Sequence, residues 1–160
     1  MMGRLFAFIV VFGLGIGFLV PGHSPSRTGS PHRVTTPSEP PRETDLERSS
    51  SGHFYTYAKV NGELVKFVVD TGADVVALTK EDAERVGIPV DPSSFTVIGE
   101  GASGPVRGAP VMIDSVEVDG KLVNDVQGIV LADSSLSLLG QSYLSRINGV
   151  QMSGDYMVLK

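Results

Sequence analysis

Residues 67–74 read Phe67-Val68-Val69-Asp70-Thr71-Gly72-Ala73-Asp74. Three apolar residues that favour strands run directly into an acid, a hydroxyl and a glycine. This order predicts a buried strand that delivers the Asp70 carboxylate onto a tight turn. Gly72 lets another backbone or a ligand approach closely, and a partner's backbone can hold the Thr71 hydroxyl. These features are typical of one half of a two-carboxylate acid–base site.

Such a site needs a second Asp. In a carboxylate pair one group acts as base on a water, while the other protonates or hydrogen-bonds the substrate carbonyl. The chain has no second Asp-Thr-Gly or Asp-Ser-Gly, and Asp133-Ser134-Ser135 lacks the glycine. We therefore expect the second Asp to come from a second chain. The competing interpretation is a plain strand-to-turn boundary, because Asp, Thr and Gly are all common turn residues.

Composition argues against several other functions. Cysteine is absent, which excludes disulfides, thiol nucleophiles and Cys-type zinc sites. His23 and His32 lie in a Pro/Ser-rich stretch, so His53 alone remains and neither a metalloprotease nor a Ser-His-Asp hydrolase is well supported. The formal charge of -5 without a basic run makes a nucleic-acid partner unfavourable. We expect no cofactor and no metal.

The 160 residues are predicted to form three parts, 1–20, 21–51 and 52–160. Leu5 to Val20 is an apolar run preceded by Arg4. As a helix it covers about 24 Å, less than the roughly 30 Å of a hydrocarbon core. A retained membrane anchor is favoured over a cleaved signal peptide. Either would place the remaining chain on the periplasmic or extracytoplasmic side.

Residues 21–51 are predicted to be a disordered tether. They contain six of the ten prolines and almost no large apolar residues, so they cannot bury enough surface to order themselves. From Gly52 onward the pattern is β, beginning with a hairpin of residues 54–60 and 64–69 around Asn61-Gly62. A strand at 75–78 leads to a helix at 80–86, capped by Thr79 with Asp82 at the capping-box position.

The second half of the domain continues as short strands. Strands at 95–98 and 106–113 flank Gly99-Glu100-Gly101-Ala102-Ser103-Gly104, which predicts a mobile hairpin or, alternatively, a plain surface loop. The further predicted elements are a hairpin at 116–123 around Asp119-Gly120, strands at 126–131 and 136–140, a helix at 141–147, and strands at 150–152 and 156–159. The fold class is all-β, a small closed β-barrel with one or two short helices.

The 68–74 stretch, the glycine-rich hairpin and Leu138-Leu139-Gly140 before a short helix together resemble the retropepsin-like (retroviral-type) aspartic proteases. The similarity covers roughly Phe54 to Lys160 and is greatest to bacterial, single-domain, membrane-anchored members. It implies a homodimeric aspartic endopeptidase in which Asp70 is the catalytic acid, paired with Asp70 of the second chain. Thr71 would hydrogen-bond across the dimer axis, and Gly72 would admit the substrate backbone.

The resemblance also implies where a peptide or protein substrate binds. Ala73 and Asp74 would line the cleft, and Gly99, Glu100, Gly101 and Ala102 would form a flap that closes over the peptide. Residues 150–159 would build part of the dimer interface. Because the domain is expected to be exported, membrane or envelope proteins are the expected substrates. A catalytically silent module that dimerises and binds peptides is the alternative function.

One residue departs from the family pattern. Retroviral members place an Arg directly after the Leu-Gly glycine, where it pairs with the acid that corresponds to Asp74. Here that residue is Gln141. A glutamine can hydrogen-bond to Asp74 but cannot form a bidentate ion pair, so weaker dimerisation is expected.

Overall fold

The computed structural model describes residues 35–101 and 104–160. These ranges contain two short helices, α1 (Lys80–Arg85) and α2 (Gln141–Leu144), and a 3-10 turn at Pro92–Ser94. The strands are β1 (Thr44–Glu47), β2 (Tyr55–Val60), β3 (Glu63–Val69), β4 (Val76–Leu78), β5 (Thr96–Gly101), β6 (Gly104–Val118), β7 (Lys121–Leu131), β8 (Ser137–Leu139), β9 (Val150–Ser153) and β10 (Tyr156–Leu159).

Six strands close into a barrel in the order β2-β3-β8-β4-β7-β6, because β6 also pairs back onto β2. The β3–β8 and β4–β7 pairs are parallel, and the other pairs in the ring are antiparallel. Among the described residues, β5 pairs only with β6, so the two form a hairpin at the edge of the sheet. This arrangement confirms the predicted closed β-barrel.

The first hairpin forms as the sequence predicts. Asn61 and Gly62 both have positive φ, 51° and 94°, as the two-residue turn between right-twisted strands requires. The turn fixes the register of β2 on β3, with Val60 opposite Glu63. Alternation then buries Val65, Phe67 and Val69, so β3 enters the core and ends at Val69, directly before Asp70.

Two predicted strand breaks are absent. Residues 106–113 and 116–118 belong to one strand, β6, and the predicted strand at 126–131 is the second half of β7. The predicted break fell at residues 114 and 115, but the Ser115 backbone N–H donates to Asn61 Oδ1 and the Ser115 carbonyl accepts from Asn61 N. Because these hydrogen bonds satisfy the polar groups, the ladder continues through the barrel wall.

The helices are shorter than predicted at their C-terminal ends. Helix α1 begins after Thr79, whose hydroxyl accepts from Asp82 N at 3.0 Å, and it ends at Arg85, one residue early. Helix α2 ends at Leu144 and not at residue 147. Four residues later, Asn148 N donates to Lys160 O. This hydrogen bond directs the chain into β9 instead of a longer helix.

The expectation of a disordered tether up to residue 51 is wrong at its C-terminal end. Residues Thr44–Glu47 form β1, which pairs with β10 in a separate three-stranded sheet of order β1-β10-β9. Leu46 is buried in the core cluster. Composition missed this strand because its partner lies more than a hundred residues later in the chain.

The residues before β1 also lie against the barrel, and we call residues 35–43 the strap. Ser38 donates from its N–H and its hydroxyl to the buried Glu117 carboxylate. The Arg42 N–H donates to Asp119 O at 3.1 Å, and its guanidinium pairs with Asp119 Oδ1 at 2.7 Å. The strap therefore covers the turn between β6 and β7.

A buried lysine completes this contact. Lys121 donates to the Arg42 carbonyl and, at 2.9 Å, to the Thr44 hydroxyl. Burial lowers the pKa of the Lys121 ammonium because it removes water from the charged form. The strap thus supplies hydrogen bonds for a charged group that the fold removes from solvent.

In residues 35–101 and 104–160, no helix is both long and apolar enough to cross a membrane. The predicted anchor at 1–20 and the first part of the predicted tether lie outside the described residues.

Candidate active site

Asp70 lies at the mouth of the barrel, directly after β3. Its N–H donates to Leu139 O at 3.1 Å, which continues the parallel β3–β8 pairing by one residue. Its Oδ1 accepts from Gly72 N at 2.9 Å, the usual geometry of an Asp that closes its own turn. Asp70 is half-buried, whereas Thr71 and Gly72 are exposed. The predicted delivery of an acid from a buried strand onto a turn is present.

The segment after β8 holds this turn from behind. Gln141 N donates to Ala73 O at 2.8 Å, and Ser142 N donates to Asp74 O at 2.9 Å. The hydroxyl of Ser142 accepts from Val76 N at 2.9 Å. The first N–H groups of α2, which have no partner inside the helix, thereby fix residues 73–76.

Gly140 allows this approach. A Cβ on Gly140 would lie 2.2 Å from Val75 O and 2.7 Å from Ala73 O, distances that no side chain can occupy. The two motifs of the sequence, 68–74 and 138–140, are therefore in direct backbone contact. Sequence order alone showed that both were present but not that they touch.

The expected hydrogen bond between Gln141 and the Asp74 side chain is not formed. The Gln141 amide, Nε2, donates instead to Thr71 O at 2.7 Å, and the Asp74 side chain is exposed. The Thr71 carbonyl lies within reach because α2 begins beneath the turn. Gln141 thus fixes the backbone of the residue next to Asp70 within one chain.

The remaining predicted site residues are separated. Ala73 is buried. Gly99, Glu100 and Gly101 lie in β5, paired with Val106, Pro105 and Gly104, and Ala102 lies outside the described residues. Within the described part of the chain, no hydrogen bond links the β5–β6 hairpin to the Asp70 turn. The predicted hairpin is present, but its strands continue to Gly101 and start at Gly104 instead of ending at residue 98 and starting at residue 106. Its role as a flap stays a prediction.

In the described residues, no group of three His, Asp or Glu side chains is placed to hold a metal ion. The chemistry available at the turn is that of the Asp70 carboxylate and the backbone around it.

Comparison with known proteins agrees with this geometry. Residues 56–146 match the family described as gag-polyprotein putative aspartyl protease. The crystal structure of a retropepsin-like aspartic protease from Rickettsia conorii is 37% identical, with a TM-score of 0.62 over 74% of this chain and 90% of that one. The chain belongs to the retropepsin-like aspartic proteases. The family inferred from the two motifs is therefore confirmed.

Two further proteins are similar to this retropepsin-like chain, one in fold and one in sequence. The EIAV protease shares the fold at 21% identity, with a TM-score of 0.52 over 63% of this chain and 93% of that one. An uncharacterized protein of Rickettsia prowazekii is 38% identical over 114 residues, 71% of this chain and 49% of that protein. The chain spans about half the length of the curated relatives it matches.

Proposed function

We propose that this retropepsin-like chain is a homodimeric aspartic endopeptidase. The observation that carries the proposal is the half-buried Asp70 at the barrel mouth, on a turn that Gly140 to Ser142 hold through backbone hydrogen bonds. A rigid turn with an accessible carboxylate suits general acid–base chemistry, because the acid must stay within hydrogen-bond reach of the reacting water.

Two Asp70 carboxylates share one proton in this mechanism. The ionised one removes a proton from the attacking water, and the protonated one donates to the scissile carbonyl oxygen. Collapse of the tetrahedral intermediate then passes a proton to the leaving amine. Since the reaction requires one protonated carboxyl, activity rises toward acid pH.

Dimerisation is proposed because one chain carries a single Asp-Thr-Gly. Thr71 and Gly72 are exposed in one chain and are available to a second copy. Among the described residues, one edge of β9 in the β1-β10-β9 sheet is unpaired. Met152 of β9 and Tyr156 of β10 are about 60% exposed. We assign this sheet to the dimer contact.

The substrate is proposed to be an extended peptide that lies beneath the β5–β6 hairpin and pairs with backbone as one more strand. Residues 99–102 then close over it, and Ala73 and Asp74 line the cleft. The apolar run Leu5 to Val20 is proposed to hold the protease at a membrane, with the domain on the extracytoplasmic side. Mass spectrometry of the N-terminus from isolated membranes tests retention of this run.

Cleavage of a mixed peptide library tests the enzyme directly. The full chain in detergent is assayed at about pH 5 and about pH 7 beside Asp70→Asn, with native mass spectrometry of each protein. Asp133→Asn is the matched control, because Asp133-Ser134-Ser135 resembles Asp70-Thr71-Gly72 but lacks the glycine. We expect cleavage by the native protein and by Asp133→Asn but not by Asp70→Asn. Peptide binding without cleavage by a native dimer would instead support the silent binding module.

A further inference from the structure

The outer face of β3 leads from Lys66 to the candidate catalytic acid. Side chains alternate along a strand, so Lys66, Val68 and Asp70 project to the same side of the sheet. Four residues at about 3.3 Å each separate Lys66 from Asp70 by about 13 Å. This span equals about four residues of an extended peptide bound at Asp70.

Lys66 and Val68 form the floor of a groove of about 290 Å³ on this face. Helix α1 contributes Asp82 and Arg85 to its lining. Tyr55 of β2 and Leu136, the residue before β8, line it on opposite sides of β3. Leu136 is 45% exposed, so the groove offers apolar surface next to polar side chains. Val68 in its floor lies two residues before Asp70, so a peptide that extends from Asp70 along β3 reaches the groove.

The groove carries a net positive charge. Asp82, the acid in its lining, is already paired with Arg85 and accepts a hydrogen bond from the Ser137 hydroxyl at 2.6 Å. Lys66 has no such partner, since no carboxylate lies within ion-pair distance of it in the part of the chain that the structure describes. Its ammonium instead lies over the Tyr55 ring, 4.7 Å from the centroid.

We infer that this groove selects substrates with an Asp or Glu within about four residues of the scissile bond, and that Lys66 determines the preference. The inference rests on the proposed peptidase function. A substrate carboxylate pairs with the Lys66 ammonium while its neighbouring apolar side chain covers Val68 and Leu136. Because an exposed ion pair contributes little, we expect a preference of about two- to fivefold in affinity for Glu over Gln.

Peptide binding tests this inference without requiring turnover. Labelled peptides that differ only by Glu, Gln or Lys at one position are titrated into the full chain carrying Asp70→Asn, and Kd is measured by fluorescence anisotropy. The same peptides are then titrated after adding Lys66→Met or Lys66→Glu. We expect Lys66→Met to remove the Glu preference and Lys66→Glu to reverse it toward Lys. The preference in the Asp70→Asn chain should also shrink as salt rises from about 0.05 M to about 0.5 M.

Lys80→Glu is the matched control. Lys80 also lies over an aromatic ring, 5.5 Å from the centroid of Phe95, and it lines a different groove. A change of net charge alone would alter the preference equally in Lys80→Glu and Lys66→Glu, and that result overturns the inference. Failure to bind any peptide, or a Glu preference that survives Lys66→Glu, overturns it as well. If the native chain cleaves no peptide, that result counts against the proposed peptidase function but not against a measured Glu preference in binding.

Discussion

Gly140 determines how closely the end of β8 approaches the candidate acid. We expect Gly140→Ala to destabilise the fold by about 1–3 kcal/mol or more, because the new Cβ meets the Val75 and Ala73 carbonyls. This contact would displace the backbone of residues 73–75, which directly follows the Asp70 turn. Peptide cleavage should therefore fall further than the loss of folded protein explains. Denaturant unfolding and kcat/KM of the folded fraction measure the two effects.

Gly149→Ala is the control for this substitution, because a Cβ there meets nothing within 4 Å. Equal stability losses in the two variants would show that close packing at Gly140 is not the cause.

Tyr143 links α2 to the strand wall. Its hydroxyl donates to Lys121 O at 2.8 Å, and burial raises the pKa of this phenol above its ordinary value of 10.0. Below pH 10 the phenol is neutral in both folded and unfolded states. Above pH 10 it ionises in the unfolded chain first, so the native protein loses stability as pH rises.

We expect Tyr143→Phe to cost about 1–2 kcal/mol at neutral pH, because it leaves a buried carbonyl without its donor. The same variant should lose less stability than the native chain between about pH 10 and about pH 11. Urea unfolding at each pH measures both quantities. Parallel pH curves for the two proteins would contradict the assignment to Tyr143.

At the scale of elements, the strap holds the start of β1 against the β6–β7 turn. A Cβ on Gly120 would lie 2.5 Å from the carbonyls of Glu39 and Pro40. Gly120→Ala should therefore displace the strap from the barrel. Glu117 then loses its hydrogen bonds from Ser38, and Lys121 loses the Arg42 carbonyl. We expect faster hydrogen exchange at the Arg42 amide and through β1.

Gly154→Ala separates this effect from backbone strain. Both glycines have positive φ, +77° at Gly120 and +58° at Gly154, but a Cβ on Gly154 meets nothing within 4 Å. Each substitution should cost roughly 1–2 kcal/mol for the left-handed conformation, and only Gly120→Ala should release Arg42. Unchanged exchange at Arg42 in both variants would show that the strap does not depend on this close contact.

For the whole molecule, the proposed shared site predicts that a mixed dimer of one native chain and one Asp70→Asn chain is inactive. With a threefold excess of Asp70→Asn and free exchange of subunits, cleavage should fall to about one quarter of that of the native chain alone, since random pairing leaves few native pairs. A constant amount of native protein is titrated with the variant, and peptide cleavage is followed after equilibration.

Asp133→Asn in the same excess should not lower the rate. If the native rate also stays constant with Asp70→Asn while mass spectrometry shows mixed dimers, each chain works with its own acid, and the shared site is wrong.

Local sequence determined the turns, the helix cap and the strand end that depend only on neighbouring residues. Asn61-Gly62 specified a two-residue turn, Thr79 capped α1, and the Val68-Val69-Asp70-Thr71-Gly72 order placed an acid at the end of a buried strand. These depend on backbone preferences and on hydrogen bonds between neighbours in the chain. The run of short strands likewise predicted a closed β-barrel. The family was predicted from the resemblance carried by the 68–74 and 138–140 motifs and the glycine-rich hairpin.

Tertiary structure decided whatever depends on partners distant in sequence. It joined Gly140 to the Asp70 turn, directed Gln141 to Thr71 O and not to Asp74, and ordered β1 within a stretch whose composition predicts disorder. It also continued β6 past Ser115, because Asn61 of the β2–β3 turn hydrogen-bonds to the Ser115 backbone. Composition shows how much surface a segment can bury by itself. The contacts that order β1 and the strap come from β10 and the β6–β7 turn, which are distant in sequence and become neighbours only in the folded chain.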